Sequence, residues 1–98
     1  MRQITSDSVS AFLNKENFKR QNMRVRFDSE LNKSFLFLHG NCIATLKDNF
    51  LSITNCGWQS NTTKERLNAL PNVSIHQKNF QWYLNDELWD GNLTVVEL

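Results

Sequence analysis

Two histidines and two cysteines are the side chains best suited to bind a metal. His39 and Cys42 stand three positions apart, as ligands of zinc sites often do, and Cys56 and His76 could complete a Cys2His2 set. Zinc sites usually pair their ligands closely at both ends, however, and 20 positions separate Cys56 from His76. The strand register argued below also sends the two cysteines to opposite faces of a sheet. We therefore predict free thiols, no zinc site, no disulfide and no cofactor.

A second pattern matches part of a calcium-binding loop. Between Asp86 and Glu97, suitable residues fill positions one, five, six and twelve of an EF-hand loop. Position three is Leu88, however, which supplies no oxygen ligand. A turn followed by a strand explains the same residues, so we predict no calcium site.

The residue types of acid–base and nucleophilic catalysis are present without a recognisable arrangement. The histidines, cysteines and ten carboxylates form no motif of known mechanics. The three glycines stand singly at 40, 57 and 91, so there is no glycine-rich phosphate loop. We predict that the protein is not an enzyme.

Basic residues in the first third of the chain favour nucleic-acid chemistry. Residues 1–33 carry seven Lys or Arg and four Asp or Glu, whereas residues 34–98 carry four and six. Arg24 and Arg26 could hold phosphates while exposed tryptophans stack on bases. Other cationic or amide side chains could extend that surface: Lys15, Lys19, Arg20, Lys64, Arg66 and Asn68. The net charge of the whole chain is only +1, however, which is small for a nucleic-acid-binding domain.

The elements that position these residues begin with a helix and a strand. Apolar residues at helical spacing, preceded by N-cap candidates at 6–8, predict a helix over roughly 8–16; they are Val9, Phe12, Leu13 and Phe18. Strict alternation over 23–27 then predicts a strand. Its odd-numbered residues would face a core, and Arg24 and Arg26 would face solvent.

Three strands in a meander are predicted over 34–55. Turns at Gly40-Asn41 and Asp48-Asn49 separate strands at 35–38, 42–47 and 50–54. This register pairs Leu38 with Ile43 in the first hairpin, and Leu46 with Leu51 and Ala44 with Ile53 in the second. One face then holds six apolar residues, Phe35, Phe37, Ala44, Leu46, Leu51 and Ile53. The opposite face is half apolar, so we expect a partner or another element to cover part of it.

A short helix is predicted over roughly 62–70. Thr62 and Glu65 have the spacing of a capping box, and Pro71 ends the helix. Leu67 and Leu70 share one face, so Lys64, Arg66 and Asn68 must point elsewhere. We expect this helix to lie across a sheet.

The remaining residues predict C-terminal hairpins. Strands over 73–77 and 80–84 flank a turn at 78–79, a further turn is expected at 85–86, and 93–96 form a last strand. The whole pattern is that of one α+β domain over 1–98 with a mainly antiparallel sheet.

Four segments between roughly residues 35 and 91 have a recognisable sequence: Leu38 to Ala44, Gly57 to Asn68, Gln81 to Asn85 and Trp89-Asp90-Gly91. In these segments the chain resembles a family of short proteins encoded by bacteriophages and prophages. This resemblance implies expression in the cytoplasm of an infected bacterial host. It implies no catalytic residues.

These observations favour a small accessory domain that binds a macromolecule, most simply a host protein that it engages or inhibits. Aromatic and arginine side chains dominate binding hot spots, so the predicted surface comprises Arg24, Arg26, Trp58, Lys64, Arg66, Tyr83 and Trp89. A homodimer formed through the half-apolar sheet face is a further expectation. The alternative is a domain that binds single-stranded DNA or RNA. No apolar run has the length of a membrane span, so no membrane contact is predicted.

Overall fold

An N-terminal helix, α1, spans Gln3–Leu13 in the computed structural model, which describes residues 2–98. The predicted helix over 8–16 therefore began five residues too late and ended three residues too late. Thr5 and Ser8 are buried together with the apolar positions of the helix, and these polar residues hid the start of its buried face. The N-cap is Arg2, so the predicted cap candidates at 6–8 lie inside the helix, where the Asp7 carboxylate binds Arg20 of the neighbouring sheet at 2.7 Å.

Six antiparallel strands form the main sheet, in which the first five strands of the chain lie side by side and the last strand lies next to the fifth. The first hairpin pairs β1 (Phe18–Arg20) with β2 (Met23–Asp28). Strand β1 was not predicted, and Phe18 belongs to it instead of to the helix. In β2, Met23 and Val25 are buried while Arg24 and Arg26 are exposed, which confirms the predicted alternation.

The next hairpin contains a bulge that the sequence did not reveal. Strand β3 (Lys33–Leu38) pairs with β4 (Asn41–Lys47) around a His39-Gly40 turn, in which both residues have positive φ. Leu36 lies opposite Ala44 and Phe37 opposite Cys42, so Ile43 is the extra residue. The predicted pairing of Leu38 with Ile43 is wrong. The predicted core positions of the two β3 phenylalanines are wrong too, because Phe35 and Phe37 point to the other face.

Strand β5 (Phe50–Ile53) completes the meander and pairs with the C-terminal β9 (Thr94–Glu97). The predicted pairs Leu46–Leu51 and Ala44–Ile53 are both present. The turn between β4 and β5 lies at Asp48-Asn49, as predicted.

The second helix, α2, spans Asn61–Asn68 and is capped by Ser60, whose Oγ accepts from the N–H of Thr63 at 3.1 Å. The predicted cap at Thr62 is wrong, because Glu65 does not reach back along its own helix and instead contacts α1. Thr63 and Leu67 are buried on the face that was expected to pack. This helix contacts both α1 and the second sheet.

That second sheet has three strands, β6 (Ile75–Lys78), β7 (Gln81–Leu84) and β8 (Glu87–Leu88). Its turns lie at Asn79-Phe80 and Asn85-Asp86, and all four residues have positive φ. The turn at 85–86 was predicted, whereas the first is one residue later than expected. Trp82 and Trp89 are buried with ring centroids 6.2 Å apart and belong to the apolar core shared with α1 and the main sheet. The prediction of an α+β domain with a mainly antiparallel sheet is confirmed.

Candidate binding surface

The seven residues of the predicted binding surface lie on different elements and differ in their exposure to solvent. Arg24 and Arg26 are exposed on the main sheet, and Trp58 is exposed in the loop before α2. Lys64 and Tyr83 are half-buried, on α2 and on the second sheet. The last two, Arg66 and Trp89, are buried. The structure therefore brings Arg24 and Arg26 together but does not join all seven in one surface.

Arg66 is buried because it links α2 to α1, contrary to the prediction that it points away from the core. Its Nη1 donates to Thr5 Oγ1 of α1 at 2.6 Å and also to Glu65 Oε1. Thr5 Oγ1 in turn donates to the Glu65 carboxylate at 2.6 Å. The hydrogen bond from Thr5, supported by the Arg66 charge, holds the pKa of Glu65 below its usual range. Arg66 thus joins the two helices and is not available to a ligand.

Trp89 likewise has a structural partner for its polar atom. Its Nε1 donates to Thr94 Oγ1 at 2.8 Å and to the carbonyl of Asn92 at 3.2 Å. With the ring packed on Trp82, this residue ties the second sheet to the start of β9. Trp58 is the tryptophan that remains exposed, with 62% of its surface accessible.

A larger surface lies on the face of the main sheet that points away from both helices, and we call it the open face. The strand register assigns to it Lys19, Arg24, Arg26, Asp28, Lys33, Phe35, Phe37, Cys42, Thr45, Lys47, Phe50, Ser52, Val95 and Glu97. None of these fourteen side chains is buried. Five are cationic and two are acidic, so this face carries a formal charge of +3 although the whole chain carries +1.

Two phenylalanines lie at the centre of the basic part of the open face. Phe35 and Phe37 have ring centroids 6.4 Å apart and planes inclined by 25°. Arg26 is the cross-strand partner of Phe35, and Arg24 is that of Phe37. The Nζ of Lys33 lies 5.4 Å from the centre of the Phe35 ring. The result is a pair of half-buried aromatic rings bordered by cations, which we call the phenylalanine platform.

Sequence reasoning missed this platform because it placed both rings in the core. The alternation of β3 fits either face equally well, since Leu36 and Leu38 are also apolar. The bulge at Ile43 decides whether the two phenylalanines or the two leucines of β3 are buried, and no residue in the sequence indicates this bulge. The one signal for exposed phenylalanines was the alternation in β2, which predicted that Arg24 and Arg26 face solvent. Cross-strand partners point to the same face of a sheet, so Phe37 and Phe35 face solvent as well.

Two cavities of about 400 Å³ each flank the turn at one end of this sheet. The first, which we call the Trp58 cavity, has Leu38 and Ile43 among its lining residues and lies beside the start of α2. The second includes Lys19, Arg24 and Phe37 of the open face. His39 borders both cavities, and its N–H donates to the carbonyl of Asn22 at 2.8 Å. The two hollows therefore meet around one turn.

The cysteines are free thiols. Cys56 lies beyond the end of β5 and donates through Sγ to the carbonyl of Cys42 at 3.0 Å. Burial raises the pKa of both thiols, so they are protonated at neutral pH and are weak nucleophiles. Within residues 2–98, no three His, Cys, Asp or Glu side chains lie close enough together to hold a metal ion.

Residues 2–98 thus define a small α+β domain whose antiparallel sheet is open on one face. Residues 1–96 match the model of the family described as Kyanoviridae Gp96 protein. The chain belongs to this phage protein family, which confirms its resemblance to phage-encoded proteins. No curated protein and no solved structure matches it significantly. Neither helix in the described part of the chain is long and apolar enough to cross a membrane.

Proposed function

We propose that this phage protein is a non-catalytic domain that binds single-stranded DNA or RNA on its open face, in the cytoplasm of the infected host. The phenylalanine platform carries the proposal. Rings two residues apart on one strand can each stack on a base, and the two flanking arginines are placed to bind the phosphates between them. Stacking is tolerant of base identity, so we expect little sequence preference.

The distribution of charge supports the same ligand better than the total charge does. Five cations on the open face outnumber two carboxylates, and the acidic one nearest the platform, Asp28, lies at its margin opposite Lys33. The Asp28 carboxylate is also engaged locally, because it accepts from the N–H groups of Glu30 and Leu31 at 3.0 and 3.2 Å. The platform therefore has a positive environment on a nearly neutral protein.

Binding of a labelled oligothymidylate of about ten nucleotides tests the charge requirement. The double variant Arg24→Ala/Arg26→Ala should bind about tenfold more weakly or worse. Its plot of log affinity against log salt should be shallower by about 1.4, since each lost phosphate contact removes about 0.7 from the slope for a single strand. The control is Lys15→Ala/Lys78→Ala, which removes the same charge away from the open face. Equal weakening by both variants would contradict the proposal.

The aromatic requirement is tested with substitutions that keep most of the apolar volume. Phe35→Leu/Phe37→Leu should weaken binding while leaving the salt dependence unchanged, because leucine keeps contact area but offers no ring for stacking. Phe80→Leu, at an exposed ring elsewhere, is the matched control. Unchanged affinity of the platform variant would exclude stacking on these rings.

A host protein remains a second candidate ligand, and Phe80 favours it. This side chain is 92% exposed at the tip of the β6–β7 hairpin, where its φ of +65° is unfavourable for a bulky residue. On the outer face of the same sheet, the His76 and Tyr83 rings stack at 5.2 Å, and Leu88 lies beside Tyr83. An exposed aromatic tip on a sheet whose outer face carries further aromatic side chains is typical of a protein-binding anchor.

Affinity capture from host lysate separates the two candidates. A protein retained by the wild type after nuclease treatment, and lost with Phe80→Ala but not with Arg24→Ala/Arg26→Ala, would establish the hairpin tip as a protein-binding site. Capture that responds only to the arginine variant and to nuclease would support the open face and nucleic acid instead.

A further inference from the structure

The Trp58 cavity has a composition that suits a planar polar ring. Leu38 and Ile43 are buried and supply apolar surface, while the Trp58 indole is 62% exposed beside them. Asn41 and Thr62 add an amide and a hydroxyl group to the lining, beside Ser60, whose hydroxyl caps α2. Apolar walls with a few polar groups, enclosing about 400 Å³, are typical of small-molecule sites.

The exposed Trp58 is held in place by the loop that carries it. Its backbone N–H donates to the carbonyl of Asn55 at 2.9 Å. The Asn55 side chain accepts from the N–H of Gly57 at 2.8 Å and is only 2% exposed. A large aromatic surface on a fixed backbone loses little conformational freedom when a ligand stacks on it.

The neighbouring cavity supplies the charge that a nucleotide requires. It adjoins the Trp58 cavity at His39 and contains Lys19 and Arg24, which have no carboxylate among the other lining residues. The Trp58 cavity lies on the helix-covered face of the sheet and this second cavity on the open face. A nucleotide that used both would therefore place its base and its phosphate on either side of the turn at His39.

We infer that the Trp58 cavity binds one nucleobase, presented either by a free mononucleotide or by an unstacked nucleotide of a bound strand. The second source rests on the proposed function, since the strand would run from the open face past His39. The first source does not depend on it.

Isothermal titration with AMP, CMP, GMP and UMP tests the cavity directly. At least one of them should bind the wild type, and Trp58→Ala should weaken that binding by roughly 5- to 150-fold, the measured range for loss of one base–aromatic stack. Trp58→Phe should restore part of the affinity. Thr62→Leu, which fills the cavity from another wall, should abolish binding with Trp58 intact. Phe80→Ala is the control for a general loss of exposed aromatic surface, and thermal unfolding shows whether each variant folds.

The two sources are distinguished by oligonucleotides that each carry one abasic position. If one abasic position weakens binding to the wild type but not to Trp58→Ala, the cavity takes a base from the strand. If mononucleotides bind and no abasic position has this effect, the source is a free nucleotide. If no mononucleotide binds and Trp58→Ala leaves strand affinity unchanged, the inference is overturned. Strand binding that still required Arg24 and Arg26 would then leave the proposed function standing.

Discussion

Nothing in the sequence distinguishes Arg24 and Arg26 from Arg66, yet these arginines have different roles in the structure. Arg66 is 1% exposed and joins α1 to α2, whereas the two β2 arginines face solvent beside the phenylalanine platform. The difference arises because Thr5, Glu65 and Asn22 converge on the Arg66 guanidinium. The hydrogen-bond partners of an arginine therefore have to be known before it can be assigned to a binding surface.

Replacing Arg66 by alanine should lower the free energy of unfolding by about 3 kcal/mol, because the change leaves a cavity and removes the charge partner of Glu65. Urea denaturation followed by circular dichroism measures the loss. Arg24→Ala is the matched control and should change stability by no more than about 0.5 kcal/mol, as exposed substitutions usually do. A similar small effect of both variants would show that the buried network contributes little.

Glycine is required at position 91 because there is no room for a side chain. Its φ is +87°, and a Cβ built on it would lie 2.1 Å from Nδ2 of Asn55. Gly91→Ala should therefore destabilise the protein by about 3 kcal/mol, combining left-handed strain with overpacking. Gly40 has φ +80° with no atom within 4 Å of such a Cβ, so Gly40→Ala isolates the strain and should cost about 1–2 kcal/mol. Denaturant titrations measure the free energy of unfolding of both variants. Equal losses in the two would show that the Asn55 side chain moves aside without lowering stability.

At the scale of elements, the junction between the helices should make stability depend on pH. The pKa of Glu65 lies below its ordinary value of 4.5 in the folded state. The ionised carboxylate therefore adds stability above that value, and this contribution is lost as pH falls through the lowered folded pKa.

Glu65→Gln should thus be less stable than the wild type at pH 7, and the difference should shrink as the pH is lowered from 4.5 towards 3. Urea titrations across this range give the comparison, with Glu30→Gln on an exposed loop as the control. A gap between wild type and Glu65→Gln that stays constant with pH would mean that Glu65 does not titrate in this network.

The hairpins carry a second element-scale prediction. Asn79 and Phe80 form a turn in which both residues have positive φ, a geometry that favours Asn-Gly. Phe80→Gly should raise the free energy of unfolding by about 1 kcal/mol, because it relieves the left-handed strain of a bulky residue. Thermal melting measures the gain, and Phe80→Ala, which keeps a Cβ, should gain much less. A loss of stability in Phe80→Gly would show that the ring contributes packing despite its exposure.

Several of the thirteen asparagines also act at the level of elements. Asn68 of α2 accepts from the N–H of Ile75 at 2.6 Å and donates to the carbonyl of the same residue at 3.0 Å. It therefore pairs with the edge of β6 as a neighbouring strand would, and leaves less of that edge free for aggregation. Asn85 similarly bonds the backbone of Ser74 and Asn72.

At the scale of the whole molecule, local signals in the sequence were sufficient for the fold class and for most of the strands. Alternation in β2 and turn residues at 48–49 and 85–86 depend on neighbouring residues alone, and these predictions are confirmed. The register of β3 was predicted wrongly because a single bulged residue, Ile43, shifts one strand against another. The buried position of Arg66 could not be predicted either, since its partners Thr5 and Asn22 are distant in the sequence.

The same long-range effects decided the candidate site. Sequence patterns identified Arg24 and Arg26, but the phenylalanines that complete the platform became visible only with the true register. The Trp58 cavity similarly requires β3, β4 and α2 to meet, and no motif in any one of them indicates it. The net charge of the chain also argued against nucleic-acid binding, because it is nearly balanced while the charge of the open face is not.

The most direct test of the proposed nucleic-acid binding is a titration of the isotopically labelled protein with an unlabelled oligonucleotide, followed by ¹H–¹⁵N correlation spectra. The account predicts that the amide resonances of β2 and β3, around Arg24, Arg26, Phe35 and Phe37, shift first and most strongly, and that added salt reverses the shifts. Shifts confined to the β6–β7 hairpin, or no shifts at low salt, would contradict the assignment of the open face as a nucleic-acid-binding surface.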